Sequence, residues 1–169
     1  MDIKNKKKMI KYTDTQIIFS EIPDEITLGV NISNCTHNCP GCHSPYLREN
    51  IGRELDFKAV DELLSKNSGI SCLLLLGEGN DEKNLKELIS YVKDKYPDLK
   101  VGLYSGRQII DDSFYWAKLD YLKIGPYIAE LGPLNSQTTN QRLFKRDGTI
   151  KNPNFSWIDI TDRFWKEKA

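Results

Sequence analysis

Residues 31 to 42 read NISNCTHNCPGC and set Cys35, Cys39 and Cys42 within eight positions, directly after an apolar stretch of strand-like composition. Thiolates are soft ligands, and the spacing Cys-x-x-x-Cys-x-x-Cys can turn three sulfurs toward one ion or cluster. Two chemistries suit them. A tetrahedral zinc site needs a fourth ligand, which His37 or His43 could provide. A four-iron cubane held by three protein thiolates leaves one iron open, and an open metal position is where a substrate can bind. Structural zinc more often joins two closely spaced ligand couples, so the spacing favours the cluster and keeps zinc as the alternative. Cys72, the fourth cysteine, is alone in the apolar run ISCLLLLG and reads as a buried strand residue instead of a ligand.

The elements that must position this loop follow from periodicity. Residues 15–22 (TQIIFSEI) and 26–33 (ITLGVNIS) read as extended segments joined by a turn at PDE. FKAVDELL places Phe57, Val60, Leu63 and Leu64 at helical spacing behind a capping Asp56. CLLLLG is a continuous apolar run, as expected of a parallel strand covered on both faces. Residues 84–96 carry Leu85, Leu88, Ile89 and Val92 on one helical face and stop at Pro97. KVGLYSG and residues 119–125 (LDYLKIG) read as further strands, residues 108–118 as a helix, and RLFKRDGTIKN as a hairpin around Asp147 and Gly148. Strand alternating with helix predicts an α/β architecture with a parallel sheet. Glycines follow three successive strands, at Gly77 and Gly79, at Gly106 and at Gly125, on the carboxyl rim where parallel α/β proteins form their sites.

The chain has 169 residues, and the expectation is a single domain over 1–169 with residues 1–11 as a flexible basic tail. A closed eight-fold barrel takes about 250 residues, so any barrel here is partial. Lys plus Arg and Asp plus Glu number 24 each, a formal net charge of zero that gives no global field to gather nucleic acid or an anionic membrane. The start, MDIKNKKKMIKY, has lysines but no apolar leader core, and no stretch approaches the length of a membrane span. The expectation is therefore a cytoplasmic protein, in whose reducing surroundings four cysteines are not two disulfides.

CTHNCPGC resembles the signature of the radical S-adenosylmethionine (SAM) enzymes. Within them the chain is similar to the activating proteins of anaerobic ribonucleoside-triphosphate reductase. Besides the cysteines, the likeness rests on Gly41, the following HSPYL, the strand end LYSG, KIGPYIAEL and the later NQR, in order over about residues 12 to 145. The resemblance implies a partial, open (βα) barrel of the radical SAM type with a parallel sheet. It implies that Cys35, Cys39 and Cys42 ligate one 4Fe-4S cluster, whose open iron binds the amino and carboxylate groups of SAM. Reduction then breaks a carbon–sulfur bond, giving methionine and a 5'-deoxyadenosyl radical that takes a hydrogen from a glycine of the reductase. The implied activity is that of an activase, an oxidoreductase with no catalytic side chain beyond the cluster and SAM. Its implied partners are the large subunit of the anaerobic (class III) ribonucleotide reductase and a low-potential electron donor such as flavodoxin. The alternatives are an activase of another glycyl radical enzyme, such as pyruvate formate-lyase, or a non-catalytic zinc or iron-sulfur module. Pyruvate formate-lyase activases usually have longer chains, so size and NQR favour the reductase.

Family members carry a glycine-glycine-acid turn that meets the amino group of SAM, and here that turn reads GEGND. Gly77 fits, whereas Glu78 stands where a second glycine is usual and Gly79 where an acid is usual. The candidate SAM contacts are Gly77, Glu78 and Gly79, with Asp81 as a second possible source of charge, and Ser105 and Gly106 at the end of the next strand. Radical hydrogen transfer needs no titrating group, so His37 and His43 read as structural. Tyr127, Asn140, Gln141 and Arg142 read as ligand-edge or partner-contact positions.

Overall fold

A computed structural model describes residues 9–36, 45–108, 118–148 and 156–166. Their order is β1 (Lys11–Ile18), β2 (Thr27–Ile32), β3 (Arg53–Glu54), α1 (Phe57–Lys66), β4 (Cys72–Leu76), α2 (Glu82–Lys95), β5 (Lys100–Tyr104), β6 (Tyr121–Ile124), β7 (Arg142–Asp147), β8 (Ser156–Asp159) and α3 (Arg163–Lys166). The strands form one sheet in the order β3-β1-β2-β4-β5-β6-β7-β8.

The architecture corrects the expected open (βα) barrel with a parallel sheet. Only β2–β4, β4–β5 and β5–β6 pair in parallel, while β1–β2, β1–β3, β6–β7 and β7–β8 are antiparallel. Over the described residues the fold is an open, mixed, eight-stranded sheet. The cause lies in the connections. Parallel pairing needs a crossover, and α1 and α2 supply two of them. After β6 the chain instead returns directly beside it as β7, so the sheet grows antiparallel at that edge. β1 does the same at the other edge through a hairpin-like return into β2. The helix expected over 108–118 falls almost wholly outside the described residues.

Both faces of the sheet are covered, which explains why CLLLL is apolar throughout. Leu73 and Leu75 join Leu28, Val30, Ile32, Val101, Leu103 and Leu122 beneath the two long helices. Cys72 and Leu74 face the other way, with Ile22, Tyr121 and Leu143, against Ile160 and Phe164 of the C-terminal segment. Ile22 also explains a misplaced strand. TQIIFSEI reads as extended to residue 22, but β1 ends at Ile18, and Ile22 is a loop side chain that plugs the second face at 0% exposure. Ile10 is likewise part of the core and Lys11 opens β1, so residues 10 and 11 belong to the domain and not to a tail.

The helices start as their sequences dictate. Asp56 caps α1 by accepting from Ala59 N at 2.8 Å, and Asp81 caps α2 by accepting from Asn84 N at 3.2 Å. The two helices are also clasped to each other. Asp61 accepts from Tyr91 Oη at 2.6 Å, Tyr96 Oη at 2.6 Å and Lys95 Nζ at 2.9 Å. These three donors, Tyr91 foremost, hold the Asp61 carboxyl down at about 2, against an ordinary 3.8. A carboxylate with a depressed folded-state pKa contributes stability above its unfolded value and loses it as pH falls through the folded one. The stability gap between wild type and Asp61→Asn should therefore be constant above about pH 4 and close between about pH 4 and 2. Thermal melts of both proteins across that range check it, and a gap independent of pH would rule out the charged clasp.

Candidate functional site

β2, β4, β5 and β6 are parallel, so their carboxyl ends share one rim, and each expected site residue follows one of these strands. β2 delivers the cysteine loop. Beyond Ile32, Ser33 Oγ donates to Ile51 O at 2.6 Å, Asn34 N to Glu49 O at 3.2 Å and Cys35 N to Leu47 O at 2.9 Å. Asn34 takes the left-handed conformation at φ 60°, which asparagine tolerates better than most residues. The chain thus leaves the rim at Cys35 and is pinned where it comes back at Leu47, with Cys35 half-buried at the start of the loop. Cys39, Cys42, His37 and His43 lie outside the described residues. Among the described residues, no group of three His, Cys, Asp or Glu side chains could hold a metal ion.

Cys72 is far from this loop in both place and chemistry. It begins β4, at the opposite end of the strand from the rim, about 13 Å away at the rise of an extended chain. Its side chain is 0% exposed, and burial pushes the thiol pKa up, away from the thiolate a metal needs.

β4 delivers the GEG turn. Gly77 and Gly79 have φ of 121° and 67°, conformations that glycine adopts without the strain a side chain would bring. Between them Glu78 is held by the end of β5. Ser105 Oγ donates to Glu78 Oε2 at 2.7 Å, and Arg107 Nε donates to Oε1 at 3.0 Å and Oε2 at 3.2 Å. Ser105 is 1% exposed and also accepts from the backbone N of Arg107 at 3.0 Å, so it ties the Glu78 carboxylate to the main chain that carries Arg107. Asp81 does something else. Besides capping α2, its carboxylate takes the Asn84 side-chain amide, which makes it a helix start and not a loose charge.

β6 delivers Gly125, whose N–H donates to Arg107 O at 2.6 Å. Asn140 Nδ2 donates to Pro126 O at 3.0 Å and Gln141 Nε2 to Gly125 O at 3.3 Å. The segment NQR therefore splits in the structure. Asn140 and Gln141 brace the rim from behind, and Arg142 starts β7 with its guanidinium 3.7 Å from Asp159 and 5.9 Å from the Trp165 ring centre.

A cleft of about 330 Å³ opens between these parts, lined among others by Thr36, Glu78, Gly79, Asp81, Leu85 and Arg107. Its volume lies at the lower end of the range for small-molecule sites. Thr36 follows Cys35 directly, so the cleft lies between the start of the cysteine loop and the Glu78–Arg107 pair. The pair presents both signs of charge side by side at the rim, Glu78 with a side chain 10% exposed and Arg107 26%. Such a surface complements a zwitterionic head group, with the carboxylate meeting an ammonium and the guanidinium a carboxylate.

Arg107 is the residue that sequence reasoning missed. Its signal was present: LYSGR puts a guanidinium three residues past the end of β5, on the same rim as the only side-chain carboxylate of the GEG turn. The chain was compared with family models, with curated proteins and with solved structures, and none of them matches it. No helix among the described residues is long and apolar enough to cross a membrane.

Proposed function

We propose that this chain is a radical SAM activase that generates a glycyl radical on an anaerobic ribonucleotide reductase in the cytoplasm. The observation that carries the reading is the placement of Cys35 and the Glu78–Arg107 pair on one rim, with a ligand-sized cleft between them. The resemblance of the cysteine loop supplies the chemistry. Three thiolates at Cys35, Cys39 and Cys42 suit a 4Fe-4S cluster with one open iron, and the inert setting of Cys72 agrees with three ligands. When bound and reduced, the cluster supplies the electron that cleaves SAM.

The chain's own residues then have distinct tasks. Glu78 accepts from the amino group of SAM and Arg107 donates to its carboxylate, while Ser105 holds the Glu78 carboxylate and the Arg107 backbone. The Gly77 and Gly79 turn lets the backbone come close to the ligand. No general acid or base is needed. The described sheet is open, so the large subunit of the reductase covers the rim when it docks and shields the radical from solvent. A low-potential carrier such as flavodoxin delivers the electron.

Metal analysis of protein prepared without oxygen tests the chemistry. The expected result is iron and acid-labile sulfide near four of each per chain. Zinc bound in place of iron, with no sulfide, would make the loop a structural zinc site and end the activase reading.

A further inference from the structure

We propose that Gln141 is a positioning residue that sets ligand affinity through Arg107, without touching the ligand. The inference rests on the reading of the rim as a SAM site. Gln141 is 7% exposed, too buried to serve as a contact for a docking protein. Its Nε2 donates to Gly125 O at 3.3 Å, and the N–H of the same glycine donates to Arg107 O at 2.6 Å. The two peptide groups that flank the Gly125 Cα thus relay between the two residues.

Packing makes the relay stiff. A Cβ added at Gly125 would stand 3.0 Å from Gln141 Cα and 3.2 Å from Asn140 O, so the glycine sits wedged against the start of β7 with φ 102°. Gln141 is itself fixed, because its N–H donates to Thr139 Oγ1 at 3.0 Å and Thr139 is 5% exposed. β7 is anchored in the sheet through Leu143, which is fully buried. The antiparallel edge that displaces the expected parallel sheet therefore ends in a bracket under the loop of β5. Arg107, further out, converts the position of that loop into the position of a charge beside Glu78.

The test is a double-mutant cycle on cluster-loaded protein, with SAM affinity measured by equilibrium dialysis. Gln141→Met keeps the side chain's length and removes its donor. It should weaken SAM binding about three- to tenfold in the wild-type background. In an Arg107→Met background, itself weaker than wild type, the same change should have less than about a twofold effect, because the residue it acts through is gone. Amide hydrogen exchange at Gly125 supplies a second readout and should quicken in Gln141→Met whether or not SAM is present. An equal loss of affinity in both backgrounds, or none in either, would overturn the relay while leaving the rim site intact. Unchanged affinity in Arg107→Met alone would overturn the rim reading, and the relay with it.

Discussion

Replacing Cys35 with Ala is expected to abolish the iron-dependent visible absorption of the reconstituted protein, and Cys39→Ala and Cys42→Ala are expected to do the same. Three thiolates are the minimum that holds a cubane with one open iron, and a site with two keeps neither its charge balance nor its geometry. Cys35 is placed for the role: it starts the loop, is half-buried, and is fixed at the rim through the bond of its N–H to Leu47 O. Cys72→Ser is the contrasting variant. It puts a hydroxyl into a fully buried and largely apolar setting, so it should cost about 1–3 kcal/mol of stability and keep the full absorption. Loss of the cluster in Cys72→Ser, with retention in Cys35→Ala, would reverse the ligand assignment.

The second large effect is expected at Glu78. Glu78→Gln preserves shape and removes the negative charge, and a charge-assisted hydrogen bond contributes about 1.5–3 kcal/mol. SAM binding should weaken about ten- to a hundredfold. The loss has two sources: the amino group of SAM meets a neutral amide, and Arg107 loses the partner that aims it. Asp81→Asn separates this from a general effect of charge at the cleft. Asparagine caps helices about as well as aspartate, so α2 should remain intact and SAM affinity should change less than about threefold. Equilibrium dialysis of the three proteins decides between them. Equal losses in both variants would assign the charge to the cleft as a whole, and no loss in Glu78→Gln would reduce it to a turn residue.

Much of this site was legible in the sequence, because rim residues follow strand ends and strand ends are marked by glycine. Gly77, Gly79 and Gly125 all adopt positive φ, and the strands before them, β4 and β6, both run parallel to β5, which lies between them. The first long helix announced itself by its capping Asp56 and the second by Leu85, Leu88, Ile89 and Val92 on one face, whereas Asp81, read as a source of charge, proves to be the cap of the second. What could not be read was partnership across the chain. Nothing in RLFKRD says whether it returns beside LKI or continues a crossover pattern, and that choice decides between a parallel and a mixed sheet. The same holds for single side chains. Glu78 and Asp81 look alike three residues apart, yet one reaches across to Ser105 and Arg107 while the other turns back to its own helix. Local composition shows where charge stands, and the tertiary fold shows what it faces.

The central claim, that this chain makes a glycyl radical on a reductase, is tested most directly by electron paramagnetic resonance. Cluster-loaded protein, SAM, a low-potential reductant and the large subunit of an anaerobic ribonucleotide reductase are incubated without oxygen, and the spectrum is recorded. The account predicts a doublet from a glycyl radical on the large subunit, dependent on SAM and absent when the glycine of that subunit's radical loop is changed to Ala. A cluster whose reduced signal ignores SAM, with no doublet on the reductase, would contradict it.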